Sequence, residues 1–346
     1  MLVTGALLVR NFSIQSHKGK YTVEFVDVDN ELLQTLGTHY IVDRNVLEHV
    51  GELPNCVVID ASEEQKSFHN IGAVIEQLLA LSLQKSSKLV AIGGGITQDI
   101  TCFIANTFMR GIDWVFVPTT LLAQADSCIG SKSSINFGSY KNILGSFTPP
   151  NRVIMSDKFL ATLTEQEIDS GIGEIIKLYL VSGRLVDAET IKSNLTDHLY
   201  NALQIKRFFI EEDEFDTGRR NLLNYGHCFG HAIESATNFG VPHGIAVSMG
   251  MDMANLLSLR HSMITASKYQ SMHDVLETNY KKYSLNTVDF SKVYTAMSKD
   301  KKNTGTKFNI IIPTDGALVK HGFENTPSLK EDVYFVLGKI LELENK

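Results

Sequence analysis

The stretch Lys88-Leu89-Val90-Ala91-Ile92-Gly93-Gly94-Gly95 decides the fold. Its apolar run is too short for a helix and stops at three glycines, so it reads as a buried strand ending in a turn. Behind it, Asp99 to Met109 has helical spacing, and Trp114-Val115-Phe116-Val117-Pro118 reads as the next strand. Strand, glycine turn, helix and strand form the repeating unit of an open parallel sheet, whose ligands sit at the carboxyl ends of the strands. Glycines let backbone N–H groups approach a pyrophosphate, and the helix N-terminus adds a favourable dipole. The run is not a Gly-x-Gly-x-x-Gly fingerprint, and a plain tight turn explains it equally well.

Toward the N-terminus the alternation continues. His39 to Asp43 and Cys56 to Asp60 are short apolar strands that each end in an acid, Ile71 to Leu83 is helical, and Thr22 to Val28 alternates like a hairpin arm. Asp43 is placed either to hold a ribose or adenine edge or to cap a turn. Toward the C-terminus, Pro118 to Gly145 reads as a loop rich in small residues. Within it Asp126, Lys132, Lys141 and Asn142 form a natural oxyanion or phosphate grip, or a solvated loop with unrelated lysines.

After Pro149-Pro150 the period changes to that of helices: Ser156 to Ser182, Ile191 to Glu211, Asn221 to Asn238, His243 to His261, Ser267 to Tyr280, Ser291 to Lys301 and an amphipathic tail from Ser328, with one strand at Phe308 to Ile312. The expected organisation is an α/β domain over residues 1–152 and a helical domain over 153–346. Arg220, Asn224, His227 and His231 fall four, three and four residues apart, which on one continuous helix would align them on a single face. A guanidinium, an amide and two imidazoles suit an anionic, oxygen-rich ligand beside a metal. His243, between Pro242 and Gly244, is a third imidazole; three histidines with one carboxylate would suffice for an open zinc site. Glu174 and Lys177 lie three apart with apolar flanks, which argues against a plain surface ion pair.

Composition narrows the class. The 346 residues are 43% hydrophobic and 21% charged, as in ordinary globular proteins, and the net charge of −7 argues against nucleic-acid binding. No apolar run is long enough for a membrane span, and Arg10 closes the apolar Met1–Val9 stretch without a leader pattern. Cys56, Cys102, Cys128 and Cys228 lack metal or redox spacing and read as thiols of a reducing compartment, the cytoplasm.

With these residues in place, the chain resembles the sugar phosphate cyclases, and within them the 3-dehydroquinate synthase family. The resemblance runs through Asp43, the glycine run to Asp99, Met109-Arg110-Gly111, Val117 to Ala123, Asp126 to Lys132, Lys141-Asn142, Glu174 to Lys177, Arg220 to Glu234, Pro242-His243-Gly244 and Asp300-Lys301-Lys302. It implies a Rossmann-like NAD-binding domain, a helical C-terminal domain and a homodimer. It implies a divalent metal, zinc or cobalt, on Glu174, His227 and His243, with His231 touching substrate rather than metal. NAD is expected on Asp43, Glu63, Lys66, Gly94, Gly95, Asp99, Thr119, Thr120, Lys141, Phe159, Thr162 and Glu167. Substrate is expected on Asp126, Lys132, Asn142, Lys177, Lys206, Arg220, Asn224, His231 and Lys302, with Arg110 reaching the phosphate in the other subunit. Lys132, Glu174, Lys177, His231, Asn142 and Asp126 are the expected catalytic groups.

The implied reaction converts 3-deoxy-D-arabino-heptulosonate 7-phosphate to 3-dehydroquinate and phosphate, a step toward aromatic amino acids in the shikimate pathway. A hydroxyl is oxidised by NAD, phosphate is eliminated, the hydride returns, the ring opens and an intramolecular aldol closes a carbocycle. Sister cyclases making amino- or deoxy-carbocycles, and metal- and NAD-dependent polyol dehydrogenases of the same fold, are the alternatives. The chain departs from the family at Gln98, Ser131 and Tyr140, where the family has glycine, and at Ser133, where it has threonine.

Overall fold

The structure, a computed structural model, describes residues 10–138, 140–283, 288–299 and 306–342. The expected Asp300-Lys301-Lys302 knuckle lies outside them. Contacts divide the chain into two compact units, Met1–Leu163 and Thr164–Lys346.

The first unit carries the sheet. Its strands are β1 (Phe12–Ser16), β2 (Gly19–Phe25), β3 (His39–Asp43), β4 (Cys56–Ile59), β5 (Lys88–Gly93), β6 (Asp113–Pro118) and β9 (Arg152–Met155), in the spatial order β1-β2-β9-β6-β5-β3-β4. All pairs are parallel except β1 with β2, the hairpin at the edge. Continuous burial of β3 and of Leu89–Gly93 in β5 is what a parallel sheet covered on both faces requires. The helices are α1 (Asn30–Thr35), α2 (Leu47–Val50), α3 (Phe68–Ala80) and α4 (Gly95–Thr107), with α4 springing directly from the glycine turn. A separate antiparallel hairpin, β7 (Lys132–Phe137) with β8 (Tyr140–Phe147), occupies the stretch expected to be loop. Its alternation is hidden in the sequence because Lys141, Asn142 and Ile143 in β8 are all exposed.

The second unit is helical: α5 (Glu165–Val181), α6 (Ala188–Ser193), α7 (Leu195–Glu212), α8 (His227–Ala236), α9 (His243–Arg260), α10 (Ala266–Tyr280), α11 (Phe290–Ser298) and α12 (Pro327–Glu342). The hairpin β10 (Lys307–Pro313) and β11 (Leu318–Glu324) completes it. Residues Gly244 to Ser258 of α9 are all buried, so this helix is the core around which the others pack.

Three helix expectations change. The helix expected from Ser156 begins at Glu165, because Thr164 and Glu167 form a reciprocal capping box that starts it there. The helix expected from Ile191 is two, α6 and α7, separated at Asn194 with φ −148°. The helix expected from Asn221 to Asn238 is broken: Arg219–Asn224 is a short 3-10 turn and α8 starts only at His227. Gly226 makes the break with φ +78°, and a Cβ there would lie 2.5 Å from the Val247 carbonyl oxygen. Arg220 and Asn224 therefore do not share a helix face with His227 and His231.

Candidate active site

In the first unit the sequence candidates gather around the hairpin. Lys66 Nζ pairs with Asp99 Oδ2 at 2.7 Å, and the Ser134 amide donates to Asp99 Oδ1 at 3.0 Å. Burial raises the Asp99 pKa and Lys66 acts against that rise. Asn136 links the rest: its amide nitrogen donates to Glu63 Oε1 at 2.7 Å, and its side-chain oxygen accepts from the Asn142 N–H at 2.9 Å. Lys141 Nζ stands 3.9 Å from Glu63 Oε1. Ser134 and Asn136 were not singled out in the sequence; only the strand pairing brings them to Glu63 and Asp99.

Asp43 ends β3 and accepts from the Asn45 N–H at 3.0 Å, the capping alternative raised by its position. Gly94 caps α4 and Gly95 opens it. A Cβ on Gly94 would come 3.2 Å from Thr120 Cγ2, so Thr120 borders the glycine turn; Thr119 donates its N–H to the Gly93 carbonyl at 3.0 Å. Phe159 is wholly buried in the core beside Tyr40 and Val42, and its carbonyl accepts from Thr162 Oγ1 at 2.7 Å. Asp126 sits in a π-type turn, Ala123–Ser127, and Lys132 is exposed at the start of β7. The departures have structural places. Gln98 exchanges hydrogen bonds with Ser127, at 2.7 Å to its carbonyl and 2.6 Å from its hydroxyl, tying α4 to the Asp126 turn. Ser131 adopts φ +66°, a left-handed conformation that glycine would take without cost. Arg110 is exposed, in a left-handed run from Met109 to Gly111.

In the second unit, α5 and α9 cross at Gly173 and Gly244. A Cβ on Gly173 would sit 2.1 Å from the Gly244 carbonyl oxygen, and one on Gly244 would sit 1.7 Å from that of Ser170. Only glycines permit this approach, and it sets the next residues, Glu174 and His243, face to face. Glu174 is fully buried. Its Oε1 lies 3.4 Å from His243 Nε2 and 3.7 Å from His227 Nε2, and its Oε2 pairs with buried Lys177. His227 opens α8, its Nδ1 3.2 Å from the Tyr225 carbonyl; His243 opens α9, its Nδ1 3.1 Å from Glu234 Oε2. His231, one turn along α8, is exposed, and one nitrogen from each of the three histidines lies within 4.8 Å of the others.

These separations fit a cation. A tetrahedral ion with donors at about 2.1 Å places neighbouring donors roughly 3.4 Å apart. Burial lowers the His243 pKa, but the Glu174 and Glu234 carboxylates outweigh it and push it up to about 10. Two carboxylates facing His243 favour positive charge there, and a divalent ion would take the place of the proton on its imidazole. Distances alone admit His231 as a further donor.

The remaining candidates lie nearby in sequence. Lys206 on α7 and Arg220 are each only 5% exposed. Arg220 donates from Nη1 to the Glu214 carbonyl and from its backbone to Asp213 Oδ2 at 3.0 Å, so its guanidinium is anchored. Asn224 donates to the Asn221 carbonyl at 3.1 Å.

Comparison with known proteins identifies the family. The family model for the 3-dehydroquinate synthase N-terminal part matches residues 56–170, and that for the C-terminal part matches residues 171–303. The chain is 34% identical over 261 residues to the 3-dehydroquinate synthase of Helicobacter pylori strain P12, covering 74% of this chain and 76% of that protein. It is 36% identical over 279 residues to that of Natranaerobius thermophilus, covering 75% of each. Its fold matches a 2-deoxy-scyllo-inosose synthase crystallised with carbaglucose-6-phosphate, NAD+ and Co2+, with TM-score 0.81 at 20% identity over 93% of this chain and 99% of that one. The chain is an enzyme of the phosphate-eliminating, carbon–oxygen lyase class. It belongs to the 3-dehydroquinate synthase family of sugar phosphate cyclases.

Proposed function

We propose that the chain converts 3-deoxy-D-arabino-heptulosonate 7-phosphate to 3-dehydroquinate and phosphate, with NAD as a regenerated cofactor. The observation that carries this reading is Glu174, wholly buried with one oxygen toward His227 and His243 and the other on Lys177. A buried carboxylate and ammonium are costly to keep unless they serve a further partner.

Glu174, His227 and His243 would hold a divalent ion such as zinc or cobalt. The NAD groups would be Asp43, Glu63, Lys66, Gly94, Gly95, Asp99, Thr119, Thr120, Lys141, Phe159, Thr162 and Glu167. Once bound, the ion would polarise a substrate hydroxyl and NAD would take and return a hydride. Lys177, paired with Glu174, would also contact substrate oxygens. Arg220, anchored on Glu214, and Asn224 suit the substrate carboxylate; a planar guanidinium grips a carboxylate bidentately. Asp126, Lys132, Asn142, Lys206 and His231 complete the substrate contacts, with Lys132, Asn142 and His231 directed to phosphate. Arg110, exposed on its left-handed turn, suits a phosphate in a second copy, hence a homodimer. Cys56, Cys102, Cys128 and Cys228 form no disulfide, which suits the reducing cytoplasm. Among the described residues no helix is long and apolar enough to cross a membrane.

The test is phosphate release by the zinc-loaded protein with NAD, comparing the heptulosonate phosphate with sedoheptulose 7-phosphate and glucose 6-phosphate. Preference for the carboxylated substrate supports the proposal. Preference for an uncarboxylated one would make the chain a sister cyclase.

A further inference from the structure

His227, His231 and Glu234 stand at i, i+4 and i+7 of α8, on one face of a helix that the Gly226 break starts at His227. The last member of this face does not point at the cation position. Glu234 Oε2 accepts from His243 Nδ1 at 3.1 Å, and its side chain is 12% exposed. With Nδ1 engaged there, His243 turns Nε2 toward Glu174 Oε1, 3.4 Å away. The other imidazole is supported differently: His227 Nδ1 faces a neutral acceptor, the Tyr225 carbonyl, at 3.2 Å. The two histidines therefore have unequal backing, a carboxylate behind one and a peptide carbonyl behind the other.

We propose that Glu234 is a positioning residue whose carboxylate fixes the tautomer and direction of His243 and strengthens its hold on the divalent ion. The inference rests on the reading that Glu174, His227 and His243 bind that ion. An outer carboxylate behind a ligating imidazole keeps the proton on the outer nitrogen and makes the inner one a better donor. The position is also mechanically important. Glu234 closes α8 and His243 opens α9, so their bond clamps the connection at Thr237 to Pro242, where Asn238 and Phe239 take positive φ of 50° and 61°.

The experiment is competition for zinc against a chromophoric chelator, using wild type, Glu234→Gln, Glu234→Ala and His243→Ala, with melting temperatures recorded with and without zinc. Glu234→Gln keeps shape and an acceptor but removes the charge. We expect it to weaken zinc by about tenfold, and Glu234→Ala by up to about a hundredfold, the range seen for outer-shell partners. The zinc-induced rise in melting temperature should shrink in step for both variants. A purely structural role would instead lower the metal-free melting temperature and leave zinc affinity unchanged. Wild-type zinc affinity in Glu234→Gln overturns the proposal, whether or not Glu234→Ala folds. The underlying metal assignment fails separately, if His243→Ala binds zinc as tightly as wild type.

Discussion

Gly173 and Gly244 pack backbone to backbone, close enough that a Cβ on Gly173 would lie 2.1 Å from the Gly244 carbonyl oxygen and 2.9 Å from Ser248 Oγ. This crossing brings Glu174 and His243 to one point from separate segments of the chain. Gly173→Ala should therefore cost about 3 kcal/mol of stability, the upper end for overpacking, since the nearest obstacle is backbone. Zinc affinity should fall with it. The matched control is Gly72→Ala in the middle of α3, where a Cβ meets nothing within 4 Å. There alanine should stabilise by about 0.5–1 kcal/mol. Urea unfolding of both variants measures the contrast.

His243→Ala should abolish tight metal binding, whereas His231→Ala should keep the metal and lose turnover by at least about a hundredfold, the scale of a lost acid–base or binding group. The distances do not separate these roles, because the three imidazoles are mutually close. Exposure does: His231 is exposed, while the Glu174 carboxylate between the other two is wholly buried. Metal analysis of the two dialysed variants checks this.

Arg220→Lys should lower kcat/KM for the heptulosonate phosphate at least tenfold, although charge is conserved. Arg220 donates from Nη1 to the Glu214 carbonyl, and a planar guanidinium pairs with a carboxylate bidentately where a lysine's point charge cannot. Steady-state kinetics on the carboxylated and uncarboxylated substrates tests it, since the loss should appear only with the former.

His273 provides a pH test away from the active site. Its Nδ1 lies 2.7 Å from Asp252 Oδ2, which also accepts from Tyr280. The Asp252 hydrogen bond raises the His273 pKa, burial opposes the rise, and the charges of Asp252, Glu277 and Asp274 add to it. Because the folded value exceeds the unfolded one, near 6.5, the stabilisation is complete below that pH and is lost as pH rises through the folded value. The stability difference between wild type and His273→Gln should be on the order of 1–3 kcal/mol at pH 6 and should shrink toward pH 9. Urea titrations at both values check it; a difference that grows with pH would contradict the assignment.

The parallel sheet was legible because β3 and β5 are short, buried on every side and punctuated by acids or glycines. The histidines were legible as a group through their spacing, but the spacing argument placed Arg220 and Asn224 on the same helix. It could not see that Gly226 takes φ +78° under the packing of Met251 and Val247. The β7–β8 hairpin stayed hidden because β8 is largely exposed and lacks an apolar face. Asn136 was invisible for a related reason: its links to Glu63 and Asn142 exist only after the hairpin pairs. Glu174 and Lys177 were partly legible: their apolar flanks argue against a plain surface ion pair, and both are buried.

The account rests most on which side chains surround the cation. Zinc-edge anomalous diffraction from crystals of the zinc-loaded protein locates it directly. The account predicts one peak, bonded to Glu174 Oε1, His227 Nε2 and His243 Nε2, with His231 beyond bonding distance. A peak held by His227, His231 and His243 with Glu174 left on Lys177 alone, or no peak at these residues, would contradict it.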